Sequence, residues 1–299
     1  DEKKLHFPYL IAISELHPDS CDQLMLHPVE YFTQISSIYE DSTIDDFFRV
    51  KMAALLAIEN LCTISGPTFQ EENFDSLFSL LFHELTTETD TYSIYLILRC
   101  FSIFLSKLNI ELNEDVSSFF QFLIQILFES DEEEVTTETV NVIRYLAKSL
   151  SSSFIQIYPS FIQMISQIDL SNRPELFVPT IRLCDVYVSK IRKIIQSSDQ
   201  ISIQKLNEDE TLLSLFQCSV ENLTRVEKES DFDYVSHSII SFISFFGPKI
   251  SDFLISHVIP NFLNYSATEI EVTHLPEDHG VEFVILDYPN ALKNLQPSQ

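Results

Sequence analysis

The sequence predicts an all-α solenoid of about six stacked helical hairpins, and three observations carry that prediction. Apolar residues recur at helical spacing through most of the 299-residue chain. Turn residues break these runs into pairs that repeat roughly every 43 residues, the spacing of a helical-repeat array. Glycine is scarce, with only 3 in the chain, against 25 Phe and no Trp. So little glycine leaves few sites for tight hairpins or phosphate-cradling loops, which disfavours enzyme folds that depend on them. A two-helix hairpin cannot bury both faces alone, so each must stack on its neighbours.

The repeat plan is clearest over residues 131–170. The acidic cluster Asp131, Glu132, Glu133 and Glu134 precedes an apolar-periodic run through Val140, Ile143, Leu146 and Leu150. That order puts negative charge at the N-terminal end of a helix, where the backbone dipoles favour it. After the serines at 151–153, Tyr158 and Pro159 introduce a second run through Phe161, Ile162, Ile165 and Ile168. Pro159 is expected in the first helical turn, where its missing N–H costs nothing. At roughly 40 residues the unit has the length of a HEAT or armadillo repeat, which makes the predicted hairpins HEAT-type.

The remaining hairpins are read in chain order. The first pairs a helix over 7–16 with one from Pro28 through Phe32, Ile35 and Ile38. The second runs from Phe48 through Ala53, Ala54, Leu55 and Ile58 to Leu61, stops at Gly66 and Pro67, and pairs with the stripe Phe74, Leu77, Phe78, Leu81 and Phe82. The third pairs 92–108 with 116–128, and the fourth is the unit described above. The fifth opens at Pro174, continues to Ile191, and meets a polar insertion over 196–210 before a helix over 212–223. The sixth spans 232–246, turns at Gly247 and Pro248, and resumes from Ile250 to Leu263. Residues 1–266 are thus expected to form the stack, and 267–299 an acidic interhelical loop and tail.

The formal net charge of −27 narrows the partners. A surface this negative repels phosphate backbones and anionic lipid, which argues against nucleic acid and membrane, and it favours basic proteins. Acidic residues that merely solvate helix ends and loops explain the same composition. The 5 cysteines are far apart in apolar runs, without zinc or disulfide spacing, and read as buried thiols of a reducing compartment. The chain opens on Asp1 rather than Met, so it is expected to be a segment of something longer.

No catalytic constellation stands out. His274 and His279 lie near Glu271, Glu277 and Asp278, but their spacing matches no helical ligand pair. The serines at 151–153 lack the glycine setting of a nucleophile elbow. The expectation is a protein that is not an enzyme, with no cofactor and no metal.

Several stretches resemble a known family. Arg49-Val50-Lys51-Met52-Ala53-Ala54, ending at Gly66-Pro67 and Phe69, resembles a HEAT repeat helix of the importin beta-3 type of karyopherin. Gly247, Phe253, Leu254, Pro260, Ser266, Glu271 and Val272 are similar to that family's mid-chain repeat. The loop Glu277-Asp278-His279-Gly280-Val281-Glu282-Phe283-Val284 resembles the acidic insertion that follows it, with Val281 where the family carries a tryptophan. The resemblance implies the middle segment of a nuclear transport receptor that shuttles between cytoplasm and nucleus. Such a receptor holds basic cargo on its concave side, is released by the Ran GTPase in its GTP state, and binds phenylalanine-glycine nucleoporins.

Carboxylates are the side chains that attract and hold Lys- and Arg-rich localisation signals. The cargo-binding candidates are Asp131, Glu132, Glu133, Glu134, Glu277, Asp278 and Glu282. Each of them also fits a solvated helix end or loop, and the Phe-rich stripes fit a core as well as nucleoporin slots. The alternative function is a HEAT-repeat scaffold subunit of a phosphatase or kinase assembly. A regulatory arm of a larger enzyme is a third reading.

Overall fold

A computed structural model describes residues 47–64, 71–150, 154–197, 210–222 and 229–260. The chain divides into two compact units, Asp1–Asn261 and Phe262–Gln299, and every described residue belongs to the first. The first expected hairpin, the stop at Gly66 and Pro67, and the candidates Glu277, Asp278 and Glu282 lie outside the described residues.

The described part is an all-α solenoid. Its helices are α1 (Phe47–Ile64), α2 (Phe74–Thr87), α3 (Thr91–Ser106), α4 (Glu114–Glu129), α5 (Glu133–Ser149) and α6 (Phe154–Gln167). A 3-10 turn, Pro174–Leu176, leads into α7 (Phe177–Ser197), followed by α8 (Glu210–Asn222) and α9 (Glu229–Phe246). Among the described residues no strand forms, only a lone parallel bridge between Ile110 and Leu150.

Local chemistry sets the helix starts. Asp90 accepts a hydrogen bond from the Ser93 N–H at 2.8 Å and caps α3, and Asn113 does the same for Val116 at 2.8 Å on α4. On α5, Glu133 and Glu134 occupy the first turn and Lys148 the last, the charge order that the helix dipole favours. After α9, Gly247 takes φ +58, a left-handed conformation open to glycine without penalty, and turns the chain into the 3-10 segment Gly247–Ile250. The run that follows is not one regular α-helix, because a single α-turn at Ser251–Phe253 passes into the π-turn Leu254–Val258.

Pro159 corrects the expectation for the second helix of the fourth hairpin. It lies inside α6 rather than in its first turn, so the carbonyl of Ile155 lacks an intrahelical donor. The reason is upstream burial. Phe154 is fully buried and Ile157 nearly so, and a helix begun before the proline brings both into the core.

The core is a stack of first helices. Consecutive members α1, α3, α5, α7 and α9 pack each on the next, while α2 packs on α3, α4 on α5 and α8 on α9. Aromatic rings fill the layer between first and second helices. Phe78 lies 5.3 Å from Phe119 and 5.8 Å from Phe101, and Phe101 meets Phe119 at 4.4 Å. Further along, Tyr187 of α7 stacks on Phe161 of α6 at 5.6 Å, and Phe216 of α8 meets Phe242 of α9 at 5.9 Å. The cysteines at 62, 100 and 184 are buried in this core and no disulfide joins them, and burial pushes the Cys62 thiol up to about 12.

Ion pairs lock the second hairpin. Lys51 of α1 reaches Glu84 of α2 and Glu88, the residue that caps the C-terminus of that helix, both at 2.7 Å, with all three side chains largely buried. Burial alone would raise the Glu88 carboxyl. Hydrogen bonds from Lys51 and from the N–H groups of Asp90 and Thr89 outweigh it and hold the group below its ordinary 4.5.

Two predictions follow from this packing. Phe119→Ala, at a fully buried ring junction, should cost about 3–5 kcal/mol in urea denaturation, whereas Phe128→Ala, 40% exposed, should cost under about 0.5 kcal/mol. A lowered carboxylate pKa adds stability above the unfolded value of 4.5 that is lost as pH falls through the folded one. Lys51→Met should therefore be less stable than the parent by about 1–2 kcal/mol near neutral pH, with the gap narrowing as acid titrates Glu88. Urea midpoints measured across that range check it, and a gap that is constant down to acid pH refutes it.

Candidate functional site

The stacked first helices carry their polar groups as a ladder, one set per hairpin. From α1 comes Glu59, from α3 Tyr95, Arg99, Ser102 and Ser106, from α5 Glu138, Asn141, Arg144 and Tyr145, and from α7 Arg182. Residues Arg99, Ser102, Ile103, Ser106, Glu138, Asn141, Arg144, Tyr145 and Arg182 line a cavity of about 270 Å³ between α3, α5 and α7. Each arginine lies over a tyrosine ring: Arg99 over Tyr95 at 5.7 Å, Arg144 over Tyr145 at 4.5 Å, and Arg182 over Tyr234 at 4.8 Å. Such stacking holds a guanidinium in place while leaving its edge open to an anion.

The three guanidiniums differ in their partners. Arg99 pairs with Glu59 of the preceding hairpin, and Arg182 pairs with Asp231 of α9 at 2.9 Å. No carboxylate among the described residues forms an ion pair with Arg144, whose charge acts on the Tyr234 hydroxyl together with those of Asp185 and Arg182. The Nε atoms of Arg144 and Arg182 are buried without a hydrogen-bond partner. Glu138 in the cavity wall accepts from the Ser102 hydroxyl and from the Asn141 amide. Burial raises Glu59 above the ordinary carboxylate range, more than the attraction of Arg99 offsets.

A second cavity, of about 440 Å³, lies where chain turns meet: the end of α4, the end of α6 and the 3-10 turn before α7. Its walls include Asp131, Asp169 and Glu175 against Arg173, three carboxylates to one guanidinium. Asp169 is fixed by a turn of its own making. It accepts from the Asn172 amide at 2.7 Å and from the N–H groups of Ser171 and Asn172 at 3.0 and 3.3 Å. Those bonds, the Asn172 N–H foremost, hold it below its ordinary value. Arg173 is committed inward, donating to the Leu127 carbonyl at 2.8 Å and the Ser130 carbonyl at 3.4 Å while meeting Glu175 at 3.3 Å. Asp169 is thus engaged by its own turn and Glu175 by Arg173, and Asp131 is the carboxylate of the wall that no cation among the described residues pairs with.

Of the sequence candidates, Asp131 lines this cavity, while Glu132, Glu133 and Glu134 stand exposed beside it at the start of α5. Glu277, Asp278 and Glu282 lie outside the described residues. Sequence reading missed Asp169 and Glu175, whose signal was the turn-forming run Asp169-Leu170-Ser171-Asn172 ahead of Pro174. It also missed the arginine ladder, whose signal was an arginine within five residues of a tyrosine in three successive first helices: Arg99 by Tyr95, Arg144 by Tyr145 and Arg182 by Tyr187. Among the described residues no group of three or more His, Cys, Asp or Glu is placed to hold a metal ion, and no helix is long and apolar enough to cross a membrane.

Solved structures bear out the fold class. A designed armadillo repeat protein, 15% identical, matches with a TM-score of 0.55 over 81% of this chain and 94% of its own. Another, solved in complex with the peptide (KR)4, is 16% identical with a TM-score of 0.57 over 81% of this chain and 91% of its own. An engineered protein is similar at 14% identity, with a TM-score of 0.54 over 81% and 90% of the two chains. These likenesses establish a helical-repeat solenoid. No protein-family model and no curated protein sequence matches the chain.

Proposed function

We propose that this helical-repeat scaffold is a segment of a nuclear transport receptor of the importin beta type, which holds the basic localisation signals of its cargo. The observation that supports this reading is the acidic cavity at the hairpin turns, where Asp131, Asp169 and Glu175 face a space of about 440 Å³. A lysine or arginine entering it shares Glu175 with Arg173, whose other donors are engaged by two backbone carbonyls, and meets Asp131 without such a competitor among the described residues. Exposed Glu132, Glu133 and Glu134 next to it, and the net charge of −27, draw basic segments toward this edge over a Debye length. A protein of the same fold has been solved with a (KR)4 peptide, which makes such a ligand compatible with the architecture. Release by Ran in its GTP state, nucleoporin binding and shuttling through the nuclear pore rest on the sequence resemblance.

The test is anisotropy of a labelled Lys/Arg peptide on the full chain. Binding should weaken as salt rises, and the double substitution Asp131→Asn, Glu175→Gln should weaken it about tenfold. Ran in its GTP state should displace cargo from the parent protein. A bound set dominated by a single partner and indifferent to Ran would replace the transport reading with that of an assembly subunit.

A further inference from the structure

We propose that the cavity between α3, α5 and α7 is a second binding site, of opposite preference, which takes the carboxylate side chain of an acidic peptide segment on Arg144. The inference does not depend on the transport reading, since it concerns other residues and a ligand of the other sign.

Three features make the site. First, Arg144 is the guanidinium of the ladder that no carboxylate neutralises among the described residues, while Arg99 and Arg182 on either side are matched by Glu59 and Asp231. Second, its geometry is fixed before any ligand arrives: its face lies on the Tyr145 ring at 4.5 Å, and its Nε, buried without a hydrogen-bond partner, is a donor left to be met. A stacked guanidinium loses little rotamer freedom on binding, so its fork is pre-organised for a planar carboxylate. Third, a cavity of about 270 Å³ opens beside it, lined by the polar groups of Ser102, Ser106 and Asn141.

Charge selects the ligand within the anions. Arg144 offers one guanidinium without an ion-pair partner to one carboxylate, and Glu138 in the same wall, with Asp185 of α7 close enough to act on the Tyr234 hydroxyl, repels a second. A side-chain carboxylate fits that balance, whereas a phosphate near its dianionic form leaves excess negative charge in the cavity. A basic side chain is disfavoured, because it would meet three guanidiniums. The hairpin repeat also supplies an arginine on each side, so an extended acidic segment laid along the ladder meets Arg99 and Arg182 at neighbouring rungs, where it competes with Glu59 and Asp231.

The experiment is anisotropy of a fluorescein-labelled oligoglutamate peptide on the full chain, with oligoglutamine, a phosphoserine peptide and a Lys/Arg peptide as comparators. Oligoglutamate should bind better than the other three when Asp131→Asn, Glu175→Gln has removed the acidic cavity's attraction for basic peptide. Arg144→Met should weaken oligoglutamate about tenfold or more, and Arg144→Lys, which keeps the charge without the fork, should recover only part of the loss. Ser106→Asp leaves Arg144 in place and adds a competing carboxylate to the same wall, so it should weaken the peptide too, which keeps the test valid if Arg144→Met unfolds. Oligoglutamate binding that ignores both substitutions overturns the proposal, as does tighter binding of the phosphoserine peptide or no binding of oligoglutamate at all. Loss of basic-peptide binding on Asp131→Asn, Glu175→Gln with oligoglutamate unaffected separates this site from the acidic one.

Discussion

The packing of each first helix on the next is the contact on which the other features depend. A single hairpin leaves one apolar face open, and α3 shows how completely the neighbours close it: Leu96, Ile97, Leu98, Cys100, Phe101, Phe104 and Leu105 are all buried, on more than one side of the same helix. A helix apolar on most of its circumference is stable only inside a stack, so the hairpins are interdependent and the array folds as neighbours add. Small residues permit the approach on α1, where Ala53, Ala54 and Ala57 are buried. What remains for polar groups on the first helices is the narrow strip that carries the arginine ladder.

Stacking also explains where a chain so poor in cations places them. Several lie at the C-terminal ends of helices in an earlier hairpin, where backbone carbonyls go unbonded and the dipole is negative. Lys107 donates to the Cys62 and Thr63 carbonyls of α1, both at 2.8 Å. Lys190 donates to the Leu150 carbonyl after α5, and Arg173 to the Leu127 carbonyl of α4. Arg192 reaches forward to Ser241 in α9 at 3.0 Å. Burial pulls Lys107 and Lys190 below their ordinary values, yet both stay engaged with carbonyls of another hairpin. These bonds link repeats through their ends, while the aromatic layer links them through their faces.

The helices were legible in the sequence because periodicity reports burial directly. The stripe Phe74, Leu77, Phe78, Leu81 is the buried or half-buried face of α2, and the acidic run ahead of Val135 does start α5. Where the reading failed, the deciding force was tertiary. Pro159 argued locally for a helix start, but burial of Phe154 and Ile157 began α6 earlier. Likewise, Asp131 was marked out by its neighbours in sequence, whereas its partners in the cavity, Asp169 and Glu175, come from a turn one helical hairpin on. Periodicity identifies which face of a helix is buried. It does not identify which turns meet at the edge of the stack.

Net charge misleads for the same reason. A total of −27 describes the chain as uniformly acidic, but the fold sorts it. Carboxylates dominate at the turns, where helix N-termini and solvent stabilise them, and the cations are drawn into the first-helix strip and onto helix C-termini. Glu59 records what a carboxylate in the strip meets: it is raised by burial even with Arg99 beside it, and its Oε2 stays without a partner. Arginine tolerates the same half-buried strip better, because tyrosine faces stabilise it without demanding a counter-ion. A repeat array of this kind thereby acquires two different polar surfaces from one composition, carboxylate-rich where turns meet and arginine–carboxylate mixed along the stacked helices.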